Sequence, residues 1–158
     1  MKIVFNQKIF FLQKQGGISR YICSLIEEFI KSNLNVKVIS PLHKNIYLKN
    51  IPKKYASGYY FKRYPIIKYL DNFFENYFNT EIKKILPDII HDTYYTGNII
   101  KTPKAKKIIT VHDLIHEKYK HLYEKNCELL TLKSKAFKNA DHFIFLSKNT
   151  KKDLIDIY

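Results

Sequence analysis

The chain has 158 residues, 46% of them apolar, with only 4 Gly and 5 Pro. That is enough for one compact domain with its own core, and too apolar and too poor in Gly and Pro for a disordered chain or a long flexible linker. Its 28 Lys and Arg against 14 Asp and Glu leave a formal charge of +14, which attracts phosphorylated substrates, anionic head groups or nucleic acid without choosing among them.

The opening Met1-Lys2-Ile3-Val4-Phe5 is too short in its apolar part for a signal peptide and lacks a small-residue cleavage site, so residues 3–5 read as a strand. From Ile18 to Lys31, Ile18, Tyr21, Ile22, Leu25, Ile26, Phe29 and Ile30 recur at three- and four-residue steps, which predicts one buried helix face. Val36 to Ile39 reads as a second strand, stopped by Ser40-Pro41. The stretch from Lys44 to Lys68 is basic and aromatic (Lys53, Lys54, Tyr55, Tyr59, Tyr60, Lys62, Arg63, Tyr64) and holds no Asp or Glu; it is expected to form an extended excursion or an extra hairpin near the sheet rim. Pro65 to Leu86 reads as a helix, with Pro87 beyond its end. Asp88 to His91 and Lys107 to Val111 are the third and fourth strands, Glu124 to Asn139 a helix, Phe143 to Leu146 the fifth strand, and a last helix starts after Ser147.

Strands interleaved with helices, each strand an almost continuous apolar run, point to an α/β fold: a parallel sheet covered by helices on both faces. No apolar run reaches the ~18 residues of a membrane-spanning helix. Cys23 and Cys127 make neither a disulfide framework nor a metal pair; with Cys23 on a buried helix face, a reducing, cytoplasmic setting fits.

Parallel sheets bind ligands outside the carboxyl ends of their strands. There the chain places Asn6, His91-Asp92-Thr93, His112-Asp113 and Ser147. Gly16-Gly17, between the first strand and the first helix, lets a backbone approach an anion at the helix start; a plain tight turn is the competing reading. His112 can hydrogen-bond a sugar hydroxyl or carry a proton, with Asp113 orienting its loop; capping of the strand end competes. His91 repeats the pattern one strand over. Ser147 fits a helix cap better than a ligand contact. Neither Gly-x-Gly-x-x-Gly, nor a P-loop, nor Gly-x-Ser-x-Gly, nor His-Glu-x-x-His is present, so no metal site is expected around His112, His116 and Glu117.

Three segments in order, Gln13-Lys14-Gln15-Gly16-Gly17-Ile18-Ser19-Arg20-Tyr21, Ile109-Thr110-Val111-His112-Asp113-Leu114 and Ala140-Asp141-His142-Phe143-Ile144-Phe145-Leu146-Ser147-Lys148-Asn149-Thr150-Lys151-Lys152-Asp153-Leu154, resemble family 4 glycosyltransferases of the GT-B fold, nearest to bacterial mannosyltransferase-like members that build surface polysaccharide or lipopolysaccharide. The resemblance implies that residues 1–158 form a single Rossmann-like N-terminal, acceptor-side domain. The nucleotide-binding C-terminal domain is then missing or separately encoded, and the chain is inactive alone. It implies retaining transfer of a hexose from a GDP- or UDP-hexose, used as substrate with no further cofactor, to a glycan or lipid-linked glycan. Gly16 and Gly17 would face the donor diphosphate, and His112 and Asp113 the reaction centre. Ser19, Arg20, His91 and Ser147 are further substrate-binding candidates. The expected place is the cytoplasm, with peripheral contact to the anionic inner face of the membrane. The competing account is a non-enzymatic basic module, or a truncated remnant, that binds anionic membrane or nucleic acid through residues 44–68.

Overall fold

The computed structural model describes residues 1–62, 71–97, 102, 104–123 and 128–158. The strands are β1 (Lys2–Phe5), β2 (Asn35–His43), β3 (Ala56–Tyr60), β4 (Ile89–Asp92), β5 (Lys106–Val111) and β6 (His142–Phe145). The helices are α1 (Lys8–Leu12), α2 (Gly17–Lys31), α3 (Asp71–Ile85), α4 (Ile115–Lys118), α5 (Glu128–Lys138) and α6 (Lys148–Ile157). All six strands form one sheet in the order β3-β2-β1-β4-β5-β6, and every pairing is parallel.

Alternate residues of the strands feed opposite faces. Ile3 and Phe5 of β1 join Val36 and Val38 of β2 against Ile22, Cys23 and Ile26 of α2. Val4, Ile39 and Ile90 meet Phe78 and Ile82 of α3 on the other side. Ile109 and Val111 of β5 pack with Ala136 and Phe137 of α5 and Leu154 of α6. The apolar positions predicted for α2 all belong to its core contacts. The helix ends where Asn33 turns into the left-handed region (φ 56°), a conformation Asn tolerates, so that the Leu34 amide reaches back to the Phe29 carbonyl.

The sequence reading needs three corrections. The sheet has six strands, not five, because Ala56–Tyr60 adds a parallel edge strand to β2 where an excursion or a hairpin was expected. β2 does not stop at Ser40-Pro41: its register skips from Ile39 to Leu42 opposite Ser57 and Tyr59, and this bulge absorbs a proline that cannot donate to a ladder. Helices α1 and α4 escaped notice because one turn gives too little periodicity to read. α3 is described from Asp71 and α5 from Glu128, so the predicted starts at Pro65 and Glu124 lie outside the described residues, as do Arg63 and Cys127. Among the described residues no helix is long and apolar enough to cross a membrane.

Candidate functional site

The carboxyl ends of β1 and β4 are locked together by short polar side chains. Asn6 Nδ2 donates to Asp92 Oδ1 at 2.6 Å, and Asn6 Oδ1 accepts from Thr93 Oγ1 at 2.7 Å. Thr93 Oγ1 in turn accepts from the Ile9 amide at 3.1 Å, which fixes α1 over the rim. Asp92 is buried and lies 3.0 Å from Lys107 Nζ, while Thr96 Oγ1 donates to it at 3.0 Å. Burial pushes its carboxyl up, against the pull of Lys107, Thr96 and Asn6. Fully engaged groups of this kind stiffen a rim rather than bind ligands.

Gly16 and Gly17 sit where α2 begins. Gly16 is extended (φ 170°) and caps the helix without a side chain. A Cβ on Gly16 would lie 2.5 Å from Gln13 Oε1, the atom that accepts from the Ser19 amide at 3.2 Å, so a larger residue there would make the flexible end of Gln13 shift. A Cβ on Gly17 would meet nothing within 4 Å, so open space stands beside the first helical residue. The Gly17 and Ile18 amides have no acceptor among the described residues and join the positive end of a 15-residue helix. Ser19 is buried and its hydroxyl donates to the Gly16 carbonyl at 3.1 Å, so it closes the turn; Arg20 is exposed one residue on.

His112 follows β5 and lies on the α2 side of the rim. Tyr21 of α2 packs edge-on against its ring, with centroids 5.6 Å apart, so the helix that starts at the glycine pair also touches this imidazole. His112 Nε2 is buried and lacks a partner among the described residues. Burial lowers the His112 pKa, and Lys133 adds to this against the opposing pull of Asp113. The ring is therefore neutral at pH 7 and keeps one nitrogen free to donate or accept.

Behind this loop stands a residue that the sequence reading missed. Lys133, on the inner face of α5, is 1% exposed and donates to the Asp113 carbonyl at 3.1 Å and to Glu117 Oε2 at 3.0 Å. Its ammonium also lies 3.7 Å from Asp113 Oδ1 and 5.1 Å from the centre of the Tyr95 ring. Tyr158 Oη donates to the other Glu117 oxygen at 3.3 Å. The backbone after His112 is thus tied to α5 and to the end of α6 by a buried charge pair. The signal was present: Lys133 falls among Leu129, Leu132, Ala136 and Phe137 at the spacing of the buried face.

Two other candidates are occupied internally. His91 is 3% exposed, its Nε2 lies 3.0 Å from Thr110 Oγ1, and its ring stacks on Phe5. It lies within the sheet layer, behind the rim. Ser147 caps α6, accepting from the Thr150 amide at 3.0 Å. Cys23 is buried, and that burial raises its thiol to about 12. Among the described residues no three His, Cys, Asp or Glu side chains gather as a metal ion would require; Glu117, beside His116, is committed to Lys133.

The family model described as Glycosyltransferase Family 4 matches residues 15–158, which includes the glycine turn, the His112 loop and α6. No curated protein and no solved structure matches the chain. The six-stranded parallel sheet with helices on both faces is the Rossmann-like arrangement of a GT-B N-terminal domain. A match over nearly all of the sequence, on a fold of the right kind, settles the relationship: the chain belongs to glycosyltransferase family 4.

Proposed function

We propose that this domain is the acceptor-side half of a retaining hexosyltransferase. It helps move a hexose, with mannose the first candidate, from a GDP- or UDP-hexose to a growing surface glycan or its lipid-linked precursor. The observation that carries the reading is the contact between Tyr21 and His112, which gathers the open start of α2 and a neutral imidazole on one rim. The donor diphosphate lies against Gly17 and the free amides of the first turn, where the helix end favours negative charge. Gln13, which now caps the Ser19 amide, moves aside or shares that amide. His112 hydrogen-bonds the transferred sugar through Nε2, and Asp113, held by Lys133, keeps the loop in place. A second, nucleotide-binding domain completes the clamp, so residues 1–158 alone give little or no turnover, because half of a preorganised site stabilises little of the transition state.

Gly17 offers a direct test. Open space beside it means that Gly17→Val is tolerated by the fold, with a stability change of about 0.5 kcal/mol or less. The same side chain fills the space that the diphosphate needs. The expected result is unchanged melting with loss of the amide shifts that GDP-mannose or UDP-glucose causes at residues 16–21 and 112. Donor binding equal to wild type in Gly17→Val would sink the placement, and sugar transfer by the wild-type chain alone would sink the half-site account.

A second reading concerns where the domain works. Tyr59 and Phe61 are 73% and 41% exposed at the β3 edge, and Lys53, Lys54 and Lys62 flank them with no acid nearby in sequence. Aromatic rings beside ammonium groups suit the surface of an anionic bilayer. This supports peripheral membrane contact, either beside sugar transfer or, in a non-enzymatic module, in its place.

A further inference from the structure

Gln13 stands between α1 and α2, and its main chain is fixed from two sides. Its amide donates to the Ile9 carbonyl at 2.9 Å, which closes α1, and its carbonyl accepts from Asn45 Nδ2 at 2.9 Å. Asn45 has no exposed surface, and its Oδ1 accepts from the Tyr47 and Leu48 amides at 3.0 Å, so the group that grips Gln13 is itself held. One residue on, the Lys14 carbonyl accepts from the Ile46 amide at 2.9 Å. The turn after β2 thus pins the backbone at residues 13 and 14. The Gln13 side chain is held less firmly. Among the described residues it makes one hydrogen bond, in which Oε1 accepts from the Ser19 amide at 3.2 Å, the long end of the usual range. Its carboxamide lies flat against Gly16, where a Cβ would come within 3.0 Å of Oε1, Cδ and Nε2. Ser19 is the third residue of α2, so its amide follows those of Gly17 and Ile18 among the first-turn donors. A neutral side-chain oxygen therefore occupies, on that amide, the acceptor position that a phosphate oxygen would take.

We propose, building on the sugar-nucleotide reading of this rim, that Gln13 sets the affinity of the glycine turn by competing with the diphosphate for the Ser19 amide. Ser19 has no exposed surface, so the diphosphate reaches its amide only when the carboxamide swings off Gly16. The backbone stays pinned by Asn45 and Ile46, and the swing is a rotation about side-chain torsions alone. A charged phosphate oxygen is a stronger acceptor than a neutral carboxamide, so the exchange favours the ligand. Each binding event nevertheless gives up the Gln13 bond, and the affinity is lower by that amount.

The test is a titration of the full chain with GDP-mannose, followed by amide shifts well below the melting temperature, in the wild type, Gln13→Ala and Gln13→Glu. Gln13→Ala leaves the Ser19 amide without its acceptor. Its melting temperature falls while its affinity for GDP-mannose rises about three- to tenfold, the scale of one hydrogen bond. Gln13→Glu caps the same amide with a carboxylate, which the helix start favours and which repels the diphosphate. Its melting temperature holds or rises, and its affinity falls at least tenfold. Stability and affinity thus move in opposite directions, whereas damage to a purely structural cap lowers both. GDP-mannose binding by Gln13→Ala that is no tighter than by the wild type overturns the competition and leaves the rim reading in place. Binding by neither chain overturns both, as does binding by Gln13→Ala that moves only amides away from residues 13–19 and 112.

Discussion

His91 is a titratable group held where protonation is penalised. Burial, reinforced by His112, lowers its pKa to about 4, whereas an unfolded chain protonates near ~6.5. Between those values the unfolded state binds the proton and the native state does not, so stability falls as pH drops from ~6.5 towards 4, by about 3 kcal/mol at most. His43 and His112 are lowered as well and act with the same sign, while Asp92, raised by burial, acts in the opposite sense. Denaturant unfolding at pH 7 and pH 4.5 should show the loss, and His91→Gln should lessen it; an unaltered difference in the variant removes His91 as its source. The residue scale is also where the sequence was hardest to read. His91 and His112 both follow apolar runs and both precede Asp, but the first points among Phe5 and Thr110 while the second lies one step further, past the last strand residue. A shift of one position against the strand end separates a core histidine from a rim histidine, and composition does not carry that distinction.

At the scale of elements, helices and strands with strong periodicity were legible; the exceptions were the one-turn helices α1 and α4 and the strand β3, which rests on a close backbone contact. α2 was readable because seven apolar residues mark one face. β3 was hidden because Ser57, Gly58 and Tyr59 lack an apolar run, and because Pro41 argued against a longer β2. What allows the pairing is Gly58: its φ of 139° lies in a region that favours glycine, and a Cβ there would sit 1.7 Å from the Ser40 carbonyl oxygen. Backbone faces backbone at this point, so no side-chain rotation relieves the clash. Gly58→Ala is expected to cost about 2 kcal/mol or more through combined dihedral strain and overpacking. Native-state hydrogen exchange should show the loss at residues 38–43 and 56–60 first, with α5 and β6 spared. A variant as stable as the parent would mean that β3 is not bound to β2 as described.

For the whole molecule, the architecture was legible from the alternation of strands and helices, and the partner chemistry of its +14 charge was not. Charge acts across the entire surface, and its effect on the fold follows from how little of it is paired locally. Most described ion pairs, such as Lys31–Glu28 and Lys106–Asp141, are exposed on their lysine side and contribute little. The pairs that matter for packing, Lys107–Asp92 and Lys133–Glu117, are buried, where salt screens weakly. Added salt therefore weakens diffuse repulsion among unpaired lysines more than it weakens the attractions that hold the domain together. Raising NaCl from low ionic strength to about 0.2 M, where the screening length falls below ~10 Å, should raise the melting temperature by about 2–4 °C, equivalent to about 1 kcal/mol for a domain of this size. Chloride is the right anion for the measurement, since phosphate or sulfate would add specific binding to screening. A melting temperature that falls over the same range would show that exposed ion pairs outweigh the net repulsion.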